Sequence, residues 1–358
     1  MKNPLLIILI FVVLGCSSPS VYKGNINVKG KAILTEFEHL LNKALKEDNF
    51  RGSISAAIVK GNKVIWSNAY GLADNDNNIF ADTTTIYRAG SITKSFTAVL
   101  MMQLIEQNII KLSDPLELYL PEIQNLEGYS GETKITFQHL ASHTSGLVRE
   151  PKMKGVASGP FNQWESKLLE AINNTGFQSK PGEKYQYSNI GYGLLGLALS
   201  RAAGMPYTEL IEEHLFKPLK LNNAYFIVPK ERMEKVAKGM AGKPGNINKE
   251  SPAKQHSGRG YKVPNGAIYS TPNDLAKFIM GNMGYFDLLS KESLELMQTV
   301  YTPEGSEENY GLGFKIFQTD DMKIINHGGS ISGYKAQLCF DRKSSYGVVL
   351  MVNYNKKK

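Results

Sequence analysis

Arg88-Ala89-Gly90-Ser91-Ile92-Thr93-Lys94-Ser95-Phe96-Thr97-Ala98-Val99-Leu100 reads as a turn running into a buried helix. Gly90 marks the turn, and Ser91 stands where an N-cap or first turn belongs. Phe96, Val99 and Leu100 follow at helical spacing. Ser91 and Lys94 are three apart, so a helix places them on one face about one turn (5.4 Å) apart. A serine hydroxyl is a poor nucleophile until something takes its proton. A lysine desolvated by an apolar wall loses its charge and can act as that base. The helix N-terminus adds free N–H groups and a positive dipole end for a developing oxyanion.

S-x-x-K occurs four times: Ser20/Lys23, Ser91/Lys94, Ser251/Lys254 and Ser332/Lys335. The first falls in a tether-like stretch and the third in a Pro- and Gly-rich loop. The fourth enters a strand, where residues three apart face opposite ways. Only Ser91 opens an apolar helix.

Outward from that helix, the N-terminal side reads as an amphipathic helix over 32–47. Strands follow at 53–59 and 63–70 with a Gly61-Asn62 turn, then a polar loop over 74–82. The C-terminal side is strand-like at 310–317, 322–326, 334–340 and 346–353. Between them the chain reads as helices at 91–108, 135–142, 164–172, 191–203, 207–216, 271–280 and 291–297. Residues 229–264 carry nine Lys or Arg against three Glu and few apolar residues. They read as a long loop on an active-site rim. Strands at both ends imply one antiparallel β-sheet flanked by helices, an α/β (α+β) fold with a mostly helical insert. The expected division is a sheet part at about 31–82 and 265–354 and a helical part at about 83–264.

The chain has 358 residues, 42% hydrophobic and 21% charged, with net charge +8. The positive excess is dispersed, with no basic helix and no nucleic-acid-binding motif, so a nucleic-acid partner is not expected. Lys2 and the apolar run Pro4 to Leu14 read as a signal peptide over 1–15, too short to span a bilayer. Val13-Leu14-Gly15-Cys16-Ser17 resembles the lipobox of bacterial lipoproteins, which makes Cys16 the expected lipidation site. Residues 16–30 are then a Ser-, Pro- and Gly-rich tether. The expected location is the bacterial cell envelope, lipid-anchored. Ser17 after the cysteine resembles outer-membrane lipoproteins, on the periplasmic or surface side. The other cysteine, Cys339, reads as a small buried hydrophobe.

Two further stretches carry chemistry. Tyr187-Ser188-Asn189 is the only Y-x-N in the chain and sits between a turn and a helix. A Tyr hydroxyl near a cationic lysine can have a lowered pKa and share proton transfers, and Asn can orient the lysine or a substrate amide. His327-Gly328-Gly329-Ser330 reads as a strand end, where glycines admit a ligand close to the backbone.

Together these stretches resemble the serine β-lactamase and penicillin-binding-protein-like family, whose motif set includes S-x-x-K. The Y-x-N form resembles the branch of class C β-lactamases, D-alanyl-D-alanine carboxypeptidases and related esterases. Leu140-Ala141-Ser142-His143-Thr144-Ser145-Gly146-Leu147 and Tyr310-Gly311-Leu312-Gly313-Phe314 also resemble it, and the similarity runs from about 35 to 354. The resemblance implies a β-lactamase/transpeptidase-like fold and Ser91 as nucleophile. It implies that Lys94 and Tyr187 relay its proton and that Asn189 orients. The N–H groups of Ser91 and Ser330 would form the oxyanion hole, with His327, Gly328 and Gly329 lining the substrate strand. It implies no metal or organic cofactor.

One departure matters: His327-Gly328-Gly329 stands where β-lactamases of this branch carry Lys-Thr-Gly. That removes a permanent cation and a hydroxyl suited to a substrate carboxylate. Amide or ester cleavage of a D-amino-acid peptide, cell-wall peptide or small ester is therefore expected, with weak or no β-lactam turnover. The alternative is a non-catalytic lipoprotein of the same fold that binds or senses peptidoglycan. A small-molecule or peptide substrate, the membrane through the lipid anchor and a monomeric state complete the expectation.

Three other motifs point to no further chemistry. Gly191 to Gly196 fits G-x-G-x-x-G, but a polar stretch rather than a strand precedes it, so it reads as helix packing. His139 and His143 have i,i+4 spacing, but no Glu adjoins His139 and no third ligand is evident, so they read as structural. No G-x-S-x-G occurs, which argues against an α/β-hydrolase elbow.

Overall fold

The chain's two ends meet in one sheet. The structure is a computed structural model and describes residues 30–47 and 49–356. The signal peptide, Cys16 and most of the tether lie outside the described residues. Helix α1 (Gly30–Glu47) lays Ile33, Phe37 and Leu41 against the outer face of the sheet. Each such burial is worth about 1.5–3 kcal/mol. Strands β1 (Ser53–Lys60) and β2 (Lys63–Asp74) form the expected hairpin, turning at Gly61 with φ +60°. The stretch read as polar loop contributes a short edge strand, β3 (Ile79–Phe80), paired to β2.

Strand β4 (Tyr87–Arg88) and a 3-10 turn at Gly90–Ile92 lead into α2 (Thr93–Glu106). Every α2 residue from Thr93 to Met102 is buried, which makes it the central helix of the core. Four helices follow: α3 (Phe137–Ala141), α4 (Trp164–Ile172), α5 (Asn189–Ala203) and α6 (Tyr207–Ile211). The last continues as a π-helical turn over Glu212–Phe216.

Residues 229–264 are more ordered than a loop. They hold β5 (Met240–Lys243), β6 (Asn246–Asn248), α7 (Glu250–Lys254) and the start of α8 (Val263–Gly266). Strand β7 (Tyr269–Ser270) pairs with β4. Helices α9 (Pro272–Asn282) and α10 (Lys291–Met297) follow, then β8 (Lys315–Gln318), β9 (Lys323–Ile331), β10 (Tyr334–Asp341), β11 (Tyr346–Val352) and β12 (Tyr354–Lys356). Residues 310–314, read as strand, turn back instead, and Tyr310 bridges to Lys315.

The main sheet has the order β3-β2-β1-β11-β10-β9-β8, antiparallel throughout. Ala57 faces Val349 across the seam between the two chain ends. The period-2 alternation of β1 and β11 decides which core each residue enters. Ala57, Val59, Val349 and Met351 join α2 and α9 in the main core, whereas Ala56, Ile58, Val348 and Val352 face α1. Cys339 is fully buried in that outer core, as its apolar setting predicts. Phe96 of α2 stacks on Phe278 of α9 at 3.8 Å between centroids. This mixed architecture of helices and an antiparallel sheet is the one expected from the sequence.

Candidate active site

Ser91 sits in the 3-10 turn ahead of α2, at the mouth of a cleft of about 650 Å³. No side chain caps either the turn or the helix, so the hydroxyl is not spent on capping. Lys94, one turn on, is fully buried. Its Nζ lies 3.2 Å from Ser91 Oγ and donates to the Asn265 main-chain oxygen at 2.9 Å. The same amine sits over the rings of Tyr187 and Tyr192, at 4.9 and 5.7 Å from their centroids. Burial drives the Lys94 pKa well below the ordinary lysine value. The fields of Lys262 and Arg149 push the same way, and Glu150 opposes them. An amine in that state can accept the Ser91 proton.

Tyr187 completes the group, its hydroxyl hydrogen-bonded to Ser91. The pKa direction expected from sequence is reversed here. Burial pushes the phenol up to about 12, and the bond to Ser91 and the field of Arg149 only partly offset this. Tyr187 therefore rests as a phenol. In that state it can donate a proton, while Lys94 is the group able to accept one.

The third stretch lies inside β9 rather than at a strand end. The backbones there approach closely. A Cβ on Gly329 would fall 1.9 Å from the Ala89 oxygen and 3.1 Å from the Ser91 nitrogen, and one on Gly90 would fall 3.2 Å from the Ser330 nitrogen. Glycine is required at both positions, and the amides of Ser91 and Ser330 are thereby brought to one side of the cleft. Gly328, Gly329 and Ser330 all line it. His327 also lines it but is 1% exposed. Its Nδ1–H donates to the Gly328 carbonyl at 2.9 Å, because that oxygen can only accept, and Nε2 meets the Tyr310 hydroxyl at 2.9 Å. Burial, with the field of Lys94, holds the imidazole pKa down to about 3, so no cation stands at this position.

Asn189, the first residue of α5, contacts a different partner from the one its motif suggested. Its amide donates to Glu150 Oε1 at 2.6 Å. Its main-chain oxygen accepts from Asn265 Nδ2 at 2.8 Å. The link to Lys94 therefore runs through Asn265, whose carbonyl receives the amine. Sequence reasoning passed over Asn265, although Asn265-Gly266 is a turn dipeptide that could have flagged it. It also passed over Arg149, whose guanidinium lies 4.8 Å from the Tyr187 centroid on the cleft wall. Glu150 receives Lys262 Nζ at 2.8 Å and the Tyr261 hydroxyl, so the end of the 229–264 segment does reach the site's surroundings.

Among the described residues, the other S-x-x-K pairs form no such couple. Ser251 lies in α7, not a loop, and its hydroxyl bonds that of Ser332 at 2.8 Å, while Lys254 pairs with Glu250. Ser20 and Lys23 lie outside the described residues. The two i,i+4 histidines diverge. His139 Nδ1 takes the Thr136 N–H at the start of α3, and His143, at φ +59°, takes the Ser188 N–H at 3.1 Å. Gly191 to Gly196 lies within α5, where Gly196 packs against the Pro264 ring.

Comparison with known proteins agrees with this geometry. The family model described as Beta-lactamase matches residues 41–358. Beta-lactamase-like protein 4 of Dictyostelium discoideum is 29% identical over 87% of this chain and 58% of its own length. Protein flp of Staphylococcus aureus strain MW2 is 24% identical over 90% of this chain and 64% of its own length. The chain thus spans about three-fifths of the length of these curated relatives. Among solved structures, the octameric penicillin-binding protein homologue from Pyrococcus abyssi superposes with TM-score 0.76 at 27% identity, covering 89% of this chain and 73% of the other. EstCE1, a hydrolase with promiscuous acyltransferase activity, gives TM-score 0.78 at 18% identity over 90% and 93%, a likeness of fold.

Proposed function

Because the chain belongs to the Beta-lactamase family, we propose that it is a serine hydrolase working through an acyl-enzyme on Ser91. The observation that carries this reading is the fully buried Lys94 amine 3.2 Å from the Ser91 hydroxyl, with burial pushing its pKa well below the ordinary lysine value. Lys94 takes the Ser91 proton as Oγ attacks a carbonyl carbon, and returns it to Tyr187 once that residue has protonated the leaving group as the carbonyl–leaving-group bond breaks. The amides of Ser91 and Ser330 receive the oxyanion, and Tyr187 passes a proton to the leaving group. Water then releases the acyl group from Ser91 by the reverse relay. Asn189 acts at one remove, by fixing Asn265.

The substrate is an amide or ester, with a D-amino-acid peptide, cell-wall peptide or small ester as the class, and β-lactam turnover is weak or absent. The neutral His327 supports this, because it offers a substrate carboxylate no charge. Lys315, also on the cleft wall, is paired with Glu308. Intact-mass spectrometry after incubation with a fluorophosphonate and, separately, a penicillin tests the reading. A one-to-one adduct on Ser91 that is lost in Lys94→Ala is the expected result. Folded protein that takes neither label points instead to a non-catalytic peptidoglycan-binding lipoprotein. Cephalosporin hydrolysis at about 10–10³ per second would overturn the low β-lactamase assignment.

The chain is further proposed to be a monomer anchored in the bacterial cell envelope by lipid on Cys16. Incorporation of labelled fatty acid, absent in Cys16→Ser, is the expected outcome. Unlabelled wild-type protein would remove the anchor. Light scattering that shows an assembly like the octameric homologue would remove the monomer.

A further inference from the structure

Two buried arginines stand apart from this chemistry. Arg88 is 1% exposed and Arg259 9%. Arg88 Nε and Nη1 and Arg259 Nε have no hydrogen-bond partner, and Arg259 Nη1 donates to Gln255 Oε1 at 2.6 Å. No ion pair among the described residues includes either arginine. Glu150 is the carboxylate whose field reaches Arg259, but it is engaged by Lys262, Tyr261 and Asn189. The Tyr269 ring covers one face of the Arg88 guanidinium, 5.0 Å from centroid to Cζ. That leaves the in-plane N–H groups on Nε and Nη1 unanswered.

Both side chains line one cavity of about 70 Å³, together with His256, Tyr269, Phe226 and Gly258. This has room for a few waters or one small ion, and not for an organic substrate. Its described lining shares no residue with the Ser91 cleft. The walls are built. Arg88 lies in β4 opposite Tyr269 of β7, and His256 Nδ1 meets the Tyr269 hydroxyl at 2.6 Å. The Arg259 backbone bridges to Gly159, and the Tyr261 N–H reaches the Val156 carbonyl at 3.1 Å. Burial and the field of Arg88 lower Arg259 to about 9, so it still carries its proton at neutral pH. Two like charges in a small pocket with unmet donors are costly unless an acceptor of opposite charge enters.

We propose that this cavity binds one small inorganic anion, held between the guanidinium groups of Arg88 and Arg259. Planar N–H forks suit a halide or a compact oxyanion equally. The anion ties the strand that leads into Ser91 to the segment that leads into Lys262 and Asn265. Its role is therefore to hold in place the two stretches that flank Lys94.

The full chain, exchanged into gluconate at fixed ionic strength, is titrated with bromide and separately with phosphate while its melting temperature is followed. A saturable rise of roughly 3–8 °C at a hundredfold excess over Kd is expected with at least one of them. The rise should be absent in Arg259→Gln. Saturation by bromide identifies a halide site, and saturation by phosphate alone identifies an oxyanion site. Crystals of unmodified protein grown in bromide give an arm independent of the variant, with an anomalous peak expected between the two guanidinium groups if the site takes a halide. The proposal is overturned by a response to both anions that is flat in the wild type or equal in the variant. It is equally overturned if crystals from both bromide and phosphate hold only water between the arginines.

Discussion

A lysine amine buried without a carboxylate partner is costly to charge, and this explains both its reactivity and its expense. The folded pKa of Lys94 lies well below the unfolded value of 10.5. Between those two values the folded state binds fewer protons than the unfolded state, so the residue destabilises the fold increasingly as pH falls. Lys94→Met should therefore raise stability at pH 7 by about 1 kcal/mol while abolishing acylation, the usual opposition of stability and activity. Urea denaturation and fluorophosphonate labelling check both halves; a destabilised variant would contradict the first. In the wild type, kcat/KM should fall at acid pH as Lys94 takes a proton, with the limb placed well below pH 10.5. Lys94→Arg, protonated at every working pH, should lose about 10²–10⁴-fold across the whole profile. At this scale the sequence was most legible. Spacing alone put Ser91 and Lys94 on one face. Only the packed environment decided that Tyr187 is raised rather than lowered, because burial of the phenol outweighs the fields around it.

Elements act here through close approach. Strand β9 lies against the turn that carries Ser91, and Gly329 is the contact. Gly329→Ala would set a methyl group 1.9 Å from the Ala89 oxygen, so strand and turn must separate. The expected outcome is a loss of about 10²-fold in acylation rate with far-UV circular dichroism unchanged. An unaltered rate would show that the amides of Ser91 and Ser330 do not work as a pair. Read along the chain, the two glycines suggested a strand end, yet they mark a crossing point within a strand. Nothing local distinguishes the two cases, because glycine permits both. The 229–264 segment shows a similar limit. Its β5 pairs in parallel with β12, more than a hundred residues away, and a polar segment with few apolar residues carries no periodicity to announce that. Helices α1 and α4 and strands β1, β10 and β11 were legible because each has an apolar face that the core occupies.

Across the whole molecule, the buried histidines set the response to acid. His327 is held down to about 3 and His143 lies well below 6.5, both through burial first. Their folded pKa values are depressed, so the unfolded chain takes protons that the folded chain refuses. The histidines cost the fold nothing above about pH 6.5, and their cost grows as pH drops below it. For His327 this cost is about 1.4 kcal/mol per pH unit between pH 6.5 and about 3. His327→Gln should flatten the fall of unfolding free energy between pH 6 and pH 4, measured by urea titration at each pH. A slope equal to wild type would mean that His327 does not resist protonation. Both histidines are buried and pack against the Tyr310 ring, which keeps solvent from the imidazoles.

The sequence by itself determined the antiparallel sheet built from both chain ends, the central helix and the serine–lysine pair. These depend on short-range periodicity and on the reach of one helical turn. The tertiary structure alone decided that Tyr187 and His327 rest uncharged, the indirect link from Asn189 through Asn265, and the meeting of Arg88 with Arg259. Those depend on desolvation and on contacts between distant segments, and neither is encoded in the spacing of neighbours along the chain.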